Sequence, residues 1–270
     1  MPALFIDSSY VSFQCFFRTK KWFVSNYPSV NTESLEWHNE QNFMIKYEKN
    51  YIQIIRRIVK NRQIPWKNVV FVKDCHRDEI WRHDIYKEYK ATREENNKHF
   101  TGGLVFKYTH QHIFPYFENT FGSYIVRIDR AEADDIISVL HSVYRSKFPD
   151  EFVYILSADS DYVQLLDSKT NIINVYNNRI KNIDKIEAYI LYKILNGDKS
   201  DNIRKCFGRK VTKEMCNRFV ENPEMLSKEL SKSKRASKQY DLNNQLIKFT
   251  SLPEPMIHEI TVWTDTWLVL

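Results

Sequence analysis

Glycine is scarce in this 270-residue chain. Only Gly102, Gly103, Gly122, Gly197 and Gly208 occur, none in a GxGxxG or GxxxxGK[ST] pattern, so a nucleotide cradled by a glycine-rich loop is not expected. Cysteine is sparse too. Cys15, Cys75, Cys206 and Cys216 form no CxxC pair, which removes the usual signs of a disulfide framework or a structural zinc site and leaves reduced thiols as the expectation. No uninterrupted apolar run approaches the ~18 residues of a membrane span. The N-terminal MPALFIDSSY carries an acid where a signal peptide needs an apolar segment, so a soluble cytoplasmic protein without membrane contact is expected. What is present is a full complement of core residues, 43% hydrophobic, with 27% charged and a formal net charge of +6. The charge is uneven: residues 181–250 hold 16 Lys+Arg against 9 Asp+Glu, and the remainder 24 against 25. A basic segment on a near-neutral body is either a solvated face or a polyanion-binding half.

Short apolar runs each lead to an acid: Ala3–Ile6 to Asp7, Val69–Val72 to Asp74, Tyr124–Ile128 to Asp129, and Phe152–Leu156 to Asp159. They read as buried strands, with a further strand at Asn171–Tyr176. Between them lie helical periodicities at Phe43, Tyr47, Tyr51, Ile54, Ile55 and Ile58, at Ile136 to Tyr144, and through Ile183–Leu195. The alternation predicts an α/β fold with a mostly parallel central sheet flanked by helices. Such sheets bind ligands beyond the carboxyl ends of their strands, where the strand-closing acids converge. After Leu195 the pattern turns basic and helical. Ser231–Lys238 reads as an exposed loop or frayed helix, and the apolar end from Val262, with Trp263 and Trp267, is expected to pack back on the body. The boundaries are then 1–195 for the α/β core and 196–270 for the basic helical region and tail.

Five acidic groups stand out: Asp7; Asp74; Glu132, Asp134 and Asp135; Asp159 and Asp161; and Asp198 and Asp201. Any one acid after a strand is most simply a helix cap. Nine carboxylates converging without a counter-charge would repel, and divalent cations resolve that. Oxygen-only donors favour Mg²⁺ or Mn²⁺ over zinc. Two sets of acids suit two ions, the arrangement used in phosphodiester hydrolysis. The seven-residue spacing of His76 and His83 does not match the helical zinc pair. The stretch from Trp81 to Arg93 interleaves aromatic and basic residues, Arg82 and Lys87 among them, as nucleic-acid-gripping segments do, and equally as an amphipathic surface helix does.

In order, FIDSS, VKDC, EYKATRE, AEADD, SADSD and NGDKSDNI resemble the motifs of the 5′ nuclease superfamily, the flap endonucleases and 5′–3′ exonucleases with a PIN-like core; size and the stretch WRHDIYKEYK are most similar to its phage ribonuclease H type. The resemblance implies a metal-dependent nuclease that leaves 5′-phosphates. Two magnesium ions, replaceable by manganese, would be held by the nine acids: Asp7, Asp74 and Asp134 mainly on one, Asp159, Asp161 and Asp201 mainly on the other. It also implies catalytic roles for Lys90 and Arg93 at the base of a helical arch spanning about residues 80–120. Branched or nicked DNA and RNA·DNA hybrids are the implied substrates, with replication proteins such as a single-strand-binding protein as partners. The family's glycine-rich, potassium-binding hairpin is not matched in IRKCFGRKVTKE. That puts the potassium site in doubt and shifts expected duplex contacts to Lys205, Arg209, Lys210 and Lys213. Competing readings are a non-catalytic nucleic-acid-binding protein, a PIN-type ribonuclease and a haloacid-dehalogenase-like phosphatase. The last needs an acid two residues after its nucleophile, where Ser9 stands here.

Overall fold

The computed structural model describes residues 1–32, 35–93, 100–179, 183 and 185–269. Its strands are β1 (Ala3–Asp7), β2 (Val69–Val72), β3 (Tyr124–Val126), β4 (Val153–Leu156) and β5 (Thr170–Ile173). All pair in parallel, in the order β3-β2-β1-β4-β5. Strand order therefore reverses beside β1, which opens a crevice at the carboxyl edge. The register places Asp7 opposite Val72 and Ile6 opposite Leu156, so the chain leaves β1, β2 and β4 at one level.

Side-chain alternation along the strands divides the core into two layers. Leu4, Ile6, Val69, Phe71 and Leu156 face α1 (Ser8–Asn26) and α2 (Gln41–Arg62), whose buried stripe runs through Phe43, Tyr47, Tyr51, Ile54, Ile55 and Ile58. After β2 come a short α3 (Arg82–Ile85), α4 (Gly103–Tyr108), a π turn at Thr109–Ile113, and α5 (Phe114–Phe121), which ends at Gly122 with φ +67°. Val105, Ile113, Phe114 and Phe117 bury into the same layer. This corrects the expected extent of the arch, because residues 103–121 are a wall of the core. The tip of the expected arch, residues 94–99, lies outside the described residues.

On the opposite face Ala3, Phe5, Val70, Val72, Val153 and Ile155 pack beneath α6 (Ala133–Lys147). Beyond β5, α7 (Ile186–Asn196), α8 (Lys213–Glu221), α9 (Pro223–Ser231) and α10 (Lys234–Ile247) make the basic helical region, and α11 (Glu254–Val269) returns to the sheet. Trp267 is buried there, stacked 5.9 Å from Tyr144, with its indole N–H donating to the Lys67 carbonyl at 2.9 Å. The stretch 231–238 is an exposed two-residue turn, Lys232 and Ser233, followed by the ordered first turns of α10. Ser233 accepts from the Ala236 amide and caps α10, and Ala236 is buried. Among the described residues no helix is long and apolar enough to cross a membrane.

Candidate active site

Where β1 ends, Asp7 does two things at once. One carboxylate oxygen caps α1 by accepting from the Tyr10 amide at 3.0 Å, and the other accepts from the Ser157 hydroxyl at 3.0 Å. The cap and the strand-end acid are the same residue, so the two readings of an acid after a strand do not compete here. Asp74, just beyond β2, accepts from the Ser9 hydroxyl at 2.5 Å and from the Ala133 amide at 2.8 Å. Asp159, beyond β4, caps a 3₁₀ turn through the Asp161 amide at 2.9 Å. At the start of α6, Asp134 accepts from the Asp135 amide. Glu132, Asp134 and Asp135 can each bring one oxygen within 4.8 Å of the others. Together with Lys90 and Arg93, the carboxylates of Asp7, Asp74, Glu132, Asp134 and Asp159 line one cavity of about 320 Å³.

Asp129 does not join them. β3 stops at Val126, the chain turns through Arg130 at φ +65°, and Asp129 is left exposed beside Arg127. The turn delivers Glu132 and Asp134 instead.

One member of the expected set is corrected, and another carries a structural task as well. Arg82, expected to grip nucleic acid, is 1% exposed; its guanidinium donates to Glu132 at 2.9 Å and to both oxygens of Asp135 at 2.7 and 2.9 Å. Asp135, expected as a metal ligand, is fully buried, and it also accepts from the Trp81 indole and from the Glu132 amide to close a capping box. Its oxygens are committed to holding α6 and the Trp81–Arg82 segment together.

Lys90 and Arg93 stand against the acids. The Lys90 ammonium pairs with Glu132, and Arg93 pairs with Asp201 at 2.5 Å while donating to the Ser200 carbonyl. Tyr89 donates to both Glu132 and Asp201. The later acids sit on a tight loop. Asp198 and Ile203 exchange backbone hydrogen bonds of 3.0 and 2.7 Å, and Gly197, at φ +69°, lies so close to the Ile203 carbonyl that a Cβ would stand 2.3 Å from it. Asp161 and Asp198 share Lys193 as their cation. The basic residues expected to grip nucleic acid, Lys87, Lys205, Arg209, Lys210 and Lys213, are all exposed at the surface. Lys205 lines a second cavity, about 670 Å³, with Lys199, Arg204 and Arg235. Lys193, Tyr89, Ser157, Ser9 and Tyr162 belong to the site without having been expected from sequence. Nothing in their local pattern distinguishes them from ordinary helix, loop or core residues.

The electrostatics is that of an anion cluster short of cations. Burial, and then the charge of Asp74, push Asp7 up to about 7. Burial and the charge of Asp135 raise Asp134 well above the carboxylate range. Asp161 is pushed up to about 6, burial outweighing the attraction of Lys193, with Asp159 adding to the rise. Glu132 goes the other way, because Lys90 and Arg82 overcome its burial. Asp159 lines the cavity with Asp7, Asp74 and Asp134 and accepts from the amide of Asp161, so it stands between the two sets.

The result is an α/β protein with an acid-lined cleft at the carboxyl edge of its parallel sheet and basic residues at the rim of that cleft. Residues 2–193 match the family described as 5′-3′ exonuclease, N-terminal resolvase-like domain, and the chain belongs to that family. It is 29% identical over 203 residues to a 5′-3′ exonuclease of Mycoplasmopsis pulmonis (strain UAB CTIP), covering 67% of this chain and 63% of that protein. It is 32% identical over 153 residues to a 5′-3′ exonuclease of Buchnera aphidicola subsp. Schizaphis graminum, covering 54% and 50%. The chain thus spans less than two thirds of the length of these relatives. Its fold is that of the bacteriophage T5 flap endonuclease in a pseudo-enzyme-product complex with DNA and metal ions, at a TM-score of 0.64, 16% identity and full coverage of both chains.

Proposed function

We propose that this chain is a divalent-metal-dependent 5′–3′ exonuclease and structure-specific 5′-flap endonuclease that acts on DNA and RNA·DNA hybrids and leaves 5′-phosphates. The observation that carries the reading is the single cavity in which five carboxylates face Lys90 and Arg93. The named relatives are 5′-3′ exonucleases, and the T5 neighbour is a DNA complex with metal ions, which supports the same assignment.

The residues fit divalent ions. The donors are oxygens, several carboxylates are pushed toward protonation in the absence of a counter-charge, and the Tyr162 hydroxyl, fully buried on the cavity wall, has no hydrogen-bond partner. Asp7, Asp74 and Asp134, with Glu132, would hold one Mg²⁺ and Asp161, Asp198 and Asp201 the second, with Asp159 between; Mn²⁺ would substitute. When bound, such ions polarise water and the phosphodiester and neutralise charge on the leaving oxygen. Asp7, Asp74 and Asp134 would be oriented for the ion by the Ser157 and Ser9 hydroxyls and by the amides of Tyr10, Ala133 and Asp135. Lys90 and Arg93 are the cations nearest the acids, placed to receive the scissile phosphate and the charge that develops on it. Residues 1–195 would form the nuclease core. Residues 196–270 would grip duplex backbone through Lys205, Arg209, Lys210 and Lys213, while a 5′ end meets the segment that carries Lys87. The setting would be cytoplasmic, beside replication proteins such as a single-strand-binding protein.

Product sizing on 5′-labelled nicked, gapped and flapped duplexes, with and without Mg²⁺, tests this directly, and products ending in 3′-phosphate would sink it. Lys90→Ala and Arg93→Ala are expected to lower the single-turnover rate more than affinity. Arg209→Ala and Lys210→Ala are expected to weaken binding and reduce the salt slope by about one for each phosphate no longer neutralised. Rate losses from the second pair with unchanged affinity would misplace the duplex face.

A pH dependence follows from the raised acids. Asp7 at about 7 and Asp161 at about 6 both lie above the ordinary carboxylate value of 3.8, so the folded chain holds protons that the unfolded chain releases. Their contribution to stability is complete below the ordinary value and is lost as pH rises through 6 and 7. In a chelator, Tm is expected to fall between about pH 5 and about pH 8; with Mg²⁺ replacing the protons, the stabilisation by the ion is expected to grow over the same range. A Tm shift by Mg²⁺ that does not change with pH would contradict it.

A further inference from the structure

Lys193 comes from the last turns of α7, whose Ala188, Leu191 and Leu195 are buried with α8. Its own side chain leaves that packing and runs to the acids. The ammonium contacts Asp161 and lies 3.1 Å from Asp198, and all three side chains are largely covered, at 12%, 16% and 20% exposure. Among the described residues no other cationic side chain is ion-paired with either acid. A monovalent cation therefore already stands between two carboxylates of the second set. In the first set Lys90 and Arg82 both pair with Glu132, while among the described residues Asp7 and Asp74 have hydroxyl and amide donors and no ion pair.

We propose that Lys193 is a positioning residue and built-in counter-ion for the second set of acids. It holds Asp161 and Asp198 together in the ion-free state, and it sets how readily the second divalent ion enters, because ammonium and ion contend for the same two carboxylates. The inference rests on the metal reading above and adds an order to it. The first ion can enter against Asp7 and Asp74, which no cation holds among the described residues, and the second must displace Lys193 and so binds more weakly. A purely structural ion pair has a different signature, since its removal would cost stability and leave the ratio of the two ion affinities where it was.

The test is Mn²⁺ binding to the full chain, followed by electron paramagnetic resonance, for the wild type, Lys193→Met and Lys193→Arg. The wild type is expected to take one ion tightly and a second weakly. Lys193→Met removes the charge and keeps the stem, and is expected to tighten the second ion about tenfold or more while the first is unchanged. Lys193→Arg should keep the weak second step. Because Lys193→Met leaves two buried acids unpaired and could fail to fold, acylation of Lys193 in the wild type provides a second measurement. Read by peptide mass spectrometry against exposed Lys60, it should rise severalfold when the second ion binds. A second-ion affinity that is unchanged or weaker in folded Lys193→Met overturns the proposal, as does flat Lys193 acylation across the second binding step, and in either case the metal reading stands. No Mn²⁺ bound to the wild type at either set overturns both.

Discussion

Asp134→Asn is expected to abolish turnover while leaving DNA binding intact or tighter. Asp134 sits at the first turn of α6 with its carboxyl half-buried in the cavity, close enough to Asp135 and Glu132 that its ionisation is opposed by burial and by their charge. The amide variant keeps the shape and can still accept from the Asp135 amide, so the fold should persist. It removes one unit of the negative charge that would hold a divalent ion. Losing several kcal/mol of stabilisation at the reacting phosphate corresponds to a rate loss of about 10³-fold or more. Affinity should not suffer, since a less negative cavity repels the polyanion less. Asp159→Asn is expected to behave alike, because Asp159 stands between the two sets. Single-turnover rate and dissociation constant, measured at saturating Mg²⁺ on a 5′-flap substrate, decide it. A folded Asp134→Asn chain with a near wild-type rate would mean that the acids serve only the fold.

The acids of this cavity were legible because strand geometry makes them so. An apolar run of four or five residues that ends in Asp places that Asp at the carboxyl edge, and the parallel register aligns Asp7, Asp74 and Asp159 without any knowledge of the packing. Asp129 shows the limit. It follows an apolar run as well, but β3 is an edge strand that ends at Val126, and the turn through Arg130 carries Asp129 into solvent. Arg82 misled for a different reason. A basic residue within Trp81-Arg82-His83 reads as surface, and only the tertiary position of α6 supplies the two carboxylates that make its burial tolerable. Likewise Lys193 is one lysine in a helix whose apolar positions fix which face packs on α8. That its stem reaches Asp161 depends on how the 3₁₀ turn after β4 lies against α7, which no local spacing encodes. The wall formed by residues 103–121 was visible as apolar positions at Val105, Ile113, Phe114 and Phe117. The family resemblance drew them into an arch instead.

The largest effect on stability is expected from Arg82. Its guanidinium donates through Nη1 to Glu132 and Asp135, through Nη2 to Asp135, and through Nε to the Leu246 carbonyl at 2.9 Å, tying α6 and the end of α10 to the Trp81–Tyr89 segment. The planar group also lies over the Trp81 ring at 4.7 Å. Arg82→Met fills much of the same space but leaves Asp135 without its counter-charge at zero exposure. Breaking a buried pair from one side costs about 3–5 kcal/mol, which in a chain of this size corresponds to a fall in Tm of roughly 6–20 °C. The pair is coupled, so the double variant Arg82→Met with Asp135→Asn should be less destabilised than the sum of the singles, because the second change removes the stranded charge. The same double variant separates the two roles considered for Arg82. If it restores stability and DNA affinity stays at the wild-type level, the arginine is an internal support. If Arg82→Met loses DNA affinity at a temperature where it is fully folded, while Tm moves by less than about 2 °C, the buried placement of the guanidinium is wrong and the side chain belongs at the nucleic-acid surface.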